Sequence, residues 1–211
     1  MGLIFGSGNF TRFMVDGNPP DDYLEKYPLK IARFAFHRLD ETSDDERSTG
    51  WVNILDMFDS GFAGMEYFKD PCIALSWRVD SRNVPSKALM QYCREAEEKI
   101  KASEELENIP KKRRQEIKEA VRIKLLKRAI PRSNIYDTIW NLQSGIVFFG
   151  ATSNKLCDEF AEYFLMTFGL HLKTVFPYAI ASWVLEKDEK DLALLDGLQY
   201  SIGTEDDQPC N

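Results

Sequence analysis

The segment 85–130 most constrains what this chain can fold into, because its pattern predicts two charged helices joined by a short break. Pro85 opens the first helix, whose apolar side chains recur at helical spacing: Leu89, Tyr92, Cys93, Ala96 and Ile100. Asn108-Ile109-Pro110 interrupts it. A second helix is predicted from Pro110 to about Ala129, since proline is tolerated in a first turn and Pro131 prevents continuation. The segment is therefore predicted to be a two-helix hairpin.

Strand patterns flank this hairpin on both sides. Before it, every second residue is apolar, as in a half-buried strand: Ile73, Leu75, Trp77 and Val79. After it, 135–140 and 146–149 surround a short glycine-containing connection and predict a β-hairpin. Further strands are predicted at 9–15, 51–55 and 171–176, with 47–50 as a polar loop. The mixture predicts an α+β fold, with an antiparallel sheet, packed helices and a protruding helical hairpin.

Two more helices are predicted outside the hairpin. The first begins near Pro20 and buries residues spaced three and four apart: Leu24, Tyr27, Ile31 and Phe34. The other is capped by Ser153, ends at Gly169 and buries Leu156, Phe160, Phe164 and Phe168. Because no Pro/Gly-rich linker divides the chain, we expect one domain over 1–211, with an acidic tail at 186–211.

Charge is segregated along the chain. The formal net charge is −7, which argues against general attraction of the whole surface to a polyanion. Between Lys111 and Arg132, however, ten basic residues face only Glu116 and Glu119, a local balance of +8 that leaves −15 elsewhere. The second hairpin helix is thus the candidate surface for an anionic partner.

The basic residues of this segment have a regular arrangement. At 100° per residue, Lys111, Arg114, Lys118 and Arg122 fall in one stripe, which Lys124, Lys127, Arg128 and Arg132 extend. Such a row can follow a phosphate backbone, so these eight residues are the predicted DNA-binding residues. An alternative stays open, because the first helix carries glutamates that could neutralise them: Glu95, Glu97, Glu98, Glu104, Glu105 and Glu107. The hairpin would then be a charge-complementary interaction or oligomerisation module.

Enzyme signatures are weak. His37 and His171 match no zinc-ligand spacing, Gly6-Ser7-Gly8 lacks the third glycine of a dinucleotide loop, and the cysteines form no C-x-x-C pair. A metal-dependent nuclease could in principle use the acidic run Asp40, Glu41, Asp44, Asp45 and Glu46, although such runs usually face solvent. We predict a protein without catalytic activity, metal or cofactor.

Aromatic residues are abundant before residue 80, and exposed ones could stack on unpaired bases, although their spacing predicts that most are core. The stretch 57–64 could be a mobile loop or a partner contact, and the sequence does not distinguish these two alternatives. Neither an export signal nor a membrane-spanning run is present, so we expect a cytoplasmic, nucleoid-associated protein.

The order of several short elements resembles the N-terminal half of the RdgC recombination-associated proteins. These elements are Gly50-Trp51-Val52, Val84-Pro85-Ser86, the charged helices, Leu125 to Ser133, Ile139-Trp140, Gly145-Ile146-Val147 and Trp183-Val184. The resemblance implies a DNA-binding protein without sequence specificity, a ring-shaped dimer around duplex DNA and restraint of RecA-type strand exchange. By position, its basic inner surface would include Lys118, Arg122, Lys124, Arg128 and Arg132. The family also bears an exonuclease label, for which this sequence offers no catalytic constellation.

Overall fold

Seven strands form one antiparallel sheet in the computed structural model, which describes residues 8–40, 43–62, 64–105, 107–176 and 180–181. In chain order the elements are β1 (Thr11–Asp16), α1 (Tyr23–Arg33), β2 (Arg47–Asn53), β3 (Phe68–Lys69), β4 (Cys72–Ser81), α2 (Ser86–Glu104), α3 (Lys111–Arg128), β5 (Arg132–Asn141), β6 (Ile146–Phe149), α4 (Asn154–Phe168) and β7 (His171–Thr174). The strand order is β2-β4-β5-β6-β1-β7, and β3 pairs with the start of β4. The predicted α+β class is confirmed.

One face of the sheet is covered by α4 and α1. Phe160 of α4 stacks on Phe149 of β6 with ring centroids 3.9 Å apart. Trp51 of β2 donates its indole N–H to the Thr167 hydroxyl at 2.9 Å, which ties the edge of the sheet to the same helix. The alternating residues of β4 are all buried, as their period predicts: Ile73, Leu75, Trp77 and Val79. The core therefore lies between this face and α4.

Two local predictions were wrong. Residues 47–50 belong to β2, because their backbone pairs with residues 78–81 of β4 whatever the polarity of their side chains. Leu24 is 49% exposed, whereas Tyr27 and Ile31 are buried, since α1 meets the core only through the face that carries those two residues. The two-residue strand β3 was not predicted, because it is too short to show a period.

The ends of α4 agree with the predicted signals. Gly169 follows the helix with a φ of +77°, the left-handed conformation that glycine adopts without steric cost. Ser153 stands at the N-cap position, although its side chain makes no capping hydrogen bond. The acidic tail at 186–211 falls outside the described residues. Among the described helices, none combines the length and apolarity needed to cross a bilayer.

Candidate nucleic-acid interface

The helical hairpin forms as predicted and stands out from the sheet. Pro85 and Pro110 precede α2 and α3, and Ala129 leaves α3 in an extended conformation that leads through Pro131 into β5. The two helices contact mainly each other. None of the residues of α2 is buried, and α3 buries only Ile117 and Leu126. Most side chains of the hairpin are consequently available to a partner.

Two arginines in the first half of α3 are paired with glutamates of α2. Arg114 approaches Glu97 of α2 at 3.5 Å, and Arg113 approaches Glu104 at 3.4 Å. These contacts show that α2 partly neutralises the first half of α3. The predicted alternative of charge-complementary helices therefore holds for this part of the hairpin.

Arg122 is paired twice. It contacts Glu46, which precedes β2, and it contacts Glu119 of its own helix at 3.2 Å. Glu46 belongs to the acidic run that was considered as an alternative metal site, and its carboxylate is a partner for a cation of α3. Of the predicted binding residues, Arg114 and Arg122 thus already have anionic partners.

The other six predicted residues make no ion pair within the described residues. All six are exposed, and they are Lys111, Lys118, Lys124, Lys127, Arg128 and Arg132. Lys118 lies in a groove beside Cys93 and Glu97 of α2. Burial and the Glu97 carboxylate raise the pKa of the Cys93 thiol, and the Lys118 charge opposes them. Lys118 therefore lies beside α2, and Lys111 lies at the start of α3. The other four unpaired cations lie at the end of α3 and the start of β5.

A cavity of about 640 Å³ opens at this base of the hairpin. We call it the basal cavity. The end of α3, the strand β4 and the loops before β2 and β3 enclose it. Its lining residues are Arg38, Leu39, Phe58, Arg78, Asp80, Arg82, Lys127, Arg128, Ala129, Ile130, Pro131 and Ser133. Five cationic side chains and one carboxylate give this lining a formal balance of +4.

Arg78 and Asp80 form a buried ion pair in the floor of the basal cavity. Two parallel hydrogen bonds of 2.8 Å join the guanidinium Nε and Nη2 to the two carboxylate oxygens. Burial alone would raise the pKa of Asp80, but hydrogen bonds from Arg78 and Ser133 and the charge of Arg38 outweigh it and hold the pKa below its ordinary value. Arg78 also lies over the Phe36 ring, with its guanidinium carbon 4.2 Å from the ring centroid.

Arg82 holds the loop before β2 against the cavity. Its guanidinium donates to the backbone oxygens of Asp40, Leu39 and Ser43 at 2.9 to 3.3 Å. The residue is 5% exposed, and its Nε atom has no hydrogen-bond partner in the described part of the chain. Arg82 therefore places a buried positive charge in the wall of the basal cavity.

Gly50 explains how the segment 34–36 can lie against β2, with which it forms a parallel bridge at Trp51. The backbone of Phe36 donates to the Trp51 carbonyl at 2.9 Å, and Trp51 donates to Phe34 at 3.0 Å. A Cβ atom at Gly50 would lie 2.2 Å from the Phe36 Cα, a distance that no side chain tolerates. The glycine of the Gly50-Trp51-Val52 element thus permits the close approach that sets Phe36 over Arg78.

The acidic run 40–46 is split between different contacts. The Ser43 hydroxyl donates to Asp45 at 3.0 Å, and Glu46 contacts Arg122. Glu41 falls outside the described residues. In the described ranges, no three His, Cys, Asp or Glu side chains lie close enough together to hold a metal ion. His37 and His171 are both exposed.

Sequence reasoning missed Arg78 on β4 and Arg82 directly after that strand. Their signal is a second period-two series, Arg78, Asp80 and Arg82, opposite the apolar series already identified. A polar face on a strand usually meets solvent, so the series carried no expectation of burial. The loops that cover it come from distant parts of the chain, and only the fold brings them there.

The structure is an antiparallel α+β domain with a cation-bearing helical hairpin, an arrangement that suits an anionic polymer. The chain belongs to the RdgC family: residues 24–194 match the family model described as "Putative exonuclease, RdgC". The resemblance predicted from the sequence is therefore confirmed, and membership supports a DNA-related role. No curated protein matches the chain in a sequence comparison.

Proposed function

We propose that this protein binds DNA through the phosphate backbone, without sequence preference, and acts in recombination or its restraint. The observation that carries the proposal is the set of cations on α3 and at its base that make no ion pair with the residues the structure describes, in a chain whose net charge is −7. Lysine and arginine side chains on an exposed helix neutralise phosphates and release counterions, and phosphate contacts of this kind carry no base information.

The ion pairs of α3 favour a different centre for the proposed surface. The predicted stripe ran along the whole of α3, but Arg114 and Arg122 are engaged by glutamates. We therefore assign the main contacts to the unpaired cations, above all Lys124, Lys127, Arg128 and Arg132 near the sheet. A phosphate can still compete for the two paired arginines, because surface ion pairs contribute only about 0–1 kcal/mol.

The test is fluorescence anisotropy on random-sequence duplex and single-stranded DNA over a range of salt concentrations. If about six cations contact phosphates, the logarithm of the binding constant should fall against the logarithm of salt concentration with a slope of about −5. Duplexes of different sequence should bind alike. Absence of salt-sensitive binding at micromolar protein would contradict the proposal.

The same proposal treats the protein as a binder and not as an enzyme. Incubation of end-labelled DNA with the protein and Mg²⁺ or Mn²⁺ should leave the strands intact. If cleavage occurs, the next variant replaces all five carboxylates of the acidic run by their amides. Asp40, Asp44 and Asp45 become asparagine, and Glu41 and Glu46 become glutamine. Loss of cleavage in that variant would support the nuclease alternative, and its persistence would remove those carboxylates from the reaction.

A second candidate function is self-association through the hairpin. The observation in its favour is the exposure of large apolar side chains on α2, where Met90 is 59% and Tyr92 47% exposed. A homodimer that buries this surface would gain about 25 cal/mol for each square ångström of apolar area removed from water. Size-exclusion chromatography with light scattering should show a dimer that nucleic acid does not dissociate. A monomer at all concentrations would exclude this candidate.

A further inference from the structure

We propose that the basal cavity binds the phosphomonoester of a single nucleotide, supplied by the end of a DNA strand or by a free nucleotide. The strand-end form deepens the proposed function and rests on it. The cavity joins the exposed cations Lys127 and Arg128 of α3 to Arg38 and to two buried arginines, Arg78 and Arg82. It is therefore a concave cationic site, distinct in shape from the open row along the helix.

The charge of the lining favours a dianion. Asp80 neutralises Arg78, which leaves four cations without a carboxylate in the cavity: Arg38, Arg82, Lys127 and Arg128. A phosphodiester brings one negative charge, whereas a phosphomonoester brings about 1.5 to 2 at neutral pH. The terminal phosphate is thus the better match for the uncompensated charge of the basal cavity.

The donors are already organised. Arg78 uses four of its five N–H groups on Asp80, Met57 and Ser133, so its guanidinium is held in place and keeps one donor. Arg82 is anchored by loop carbonyls, which holds its positive charge in the wall of the cavity. Because these side chains are fixed before a ligand arrives, little conformational entropy is lost when they bind it. The exposed Lys127 and Arg128 can close on a phosphate from the rim.

The size and the apolar part of the lining favour a nucleotide over inorganic phosphate. The volume of about 640 Å³ lies within the range of small-molecule pockets, about 300 to 1,000 Å³. Phe58 is 76% exposed and Ile130 is 90% exposed, and both belong to the lining. An exposed phenylalanine ring is a stacking platform for a base, whatever its identity. The phosphate would contact the arginines while the base contacts Phe58.

The experiment compares one fluorescent single-stranded oligonucleotide in three forms: unphosphorylated, 5′-phosphorylated and 3′-phosphorylated. A closed circular DNA, which has no ends, measures backbone binding separately. One phosphorylated form should bind about tenfold more tightly than the unphosphorylated strand, because charged hydrogen bonds to the terminal phosphate add to the backbone contacts. The same oligonucleotides are then competed with dTMP and with inorganic phosphate.

Matched variants inside and outside the cavity locate the effect. Lys127→Gln and Arg128→Gln alter the cavity, and Lys124→Gln and Arg132→Gln remove the same charge just outside it. The cavity variants should abolish the preference for a phosphorylated end. The outside variants should weaken all three forms equally and keep the preference. Phe58→Ala should weaken competition by dTMP about tenfold and leave that by inorganic phosphate unchanged. Circular dichroism of each variant verifies that it is folded.

The outcomes separate the ligands. A preference for a phosphorylated end that the cavity variants remove supports the strand end as the ligand. If dTMP competes but no phosphorylated end is preferred, the ligand is a free nucleotide. This conclusion also requires that the cavity variants abolish the competition by dTMP. If neither is seen while circular DNA binds with the expected salt dependence, this inference fails and the proposed function stands. If circular DNA does not bind, the proposed function fails, whatever dTMP does.

Discussion

Three arginines of α3 differ from the cations at its C-terminal end in what they contact. In the first half and middle of the helix, Arg113, Arg114 and Arg122 are engaged by glutamates of α2, of α3 itself and of the residue before β2. At the other end, Lys124, Lys127 and Arg128 make no ion pair in the described residues, and two of them line the basal cavity. A helix of nearly uniform composition is therefore electrostatically uneven, since the carboxylates of neighbouring elements reach only part of it.

The largest effect is expected from Arg78→Met, which breaks the buried ion pair beneath the unpaired end of α3. Removal of the guanidinium leaves Asp80 buried without its partner, so we expect the free energy of unfolding to fall by about 3–5 kcal/mol. Arg122→Gln, which breaks exposed pairs, should cost at most about 1 kcal/mol. Urea unfolding followed by circular dichroism measures both. Equal losses in the two variants would show that burial does not distinguish the two ion pairs.

A smaller effect is expected from two triple variants of equal charge change. Lys124→Gln/Lys127→Gln/Arg128→Gln should weaken duplex binding about 100-fold in about 0.1 M salt and reduce the salt slope by about 3. Arg113→Gln/Arg114→Gln/Arg122→Gln should weaken it much less, because those arginines must first leave their glutamates. Anisotropy titrations of both variants under the same conditions decide the matter. Equal weakening would mean that total charge, and not its pairing, controls affinity.

The smallest effect should come from freeing the paired arginines. In Glu46→Gln/Glu97→Gln, Arg114 and Arg122 lose glutamate partners, so duplex binding should tighten about threefold at low salt. The control Glu98→Gln/Glu105→Gln removes the same charge from glutamates that make no ion pair within the described residues. The same duplex titration compares the two. If the control tightens binding as much, release of specific arginines is not the cause.

Much of the fold follows from local pattern. The proline-bounded helices, the alternating strand 72–81 and the hairpin of β5 and β6 appear where period and turn residues predict them. Prediction failed where backbone pairing overrides side-chain polarity, as at 47–50, and where α1 meets the core through a narrower face than its apolar spacing implied, as at Leu24. In the site, the residue types on α3 were predictable, but their pairing with Glu46 and Glu97 was not, since it depends on distances between elements.

Composition and periodicity alone determined that this protein is an α+β domain with a basic helical hairpin in an acidic chain, because helix and strand formation depend on residues close in sequence. Tertiary structure alone decided which of those basic residues form ion pairs within the described part of the chain. It also placed Arg78 and Arg82 beside Lys127 and Arg128 of α3 to make the basal cavity. The physical reason is that electrostatic interactions depend on spatial separation and burial, and residues about fifty positions apart in the chain become neighbours only when the sheet and the hairpin are assembled.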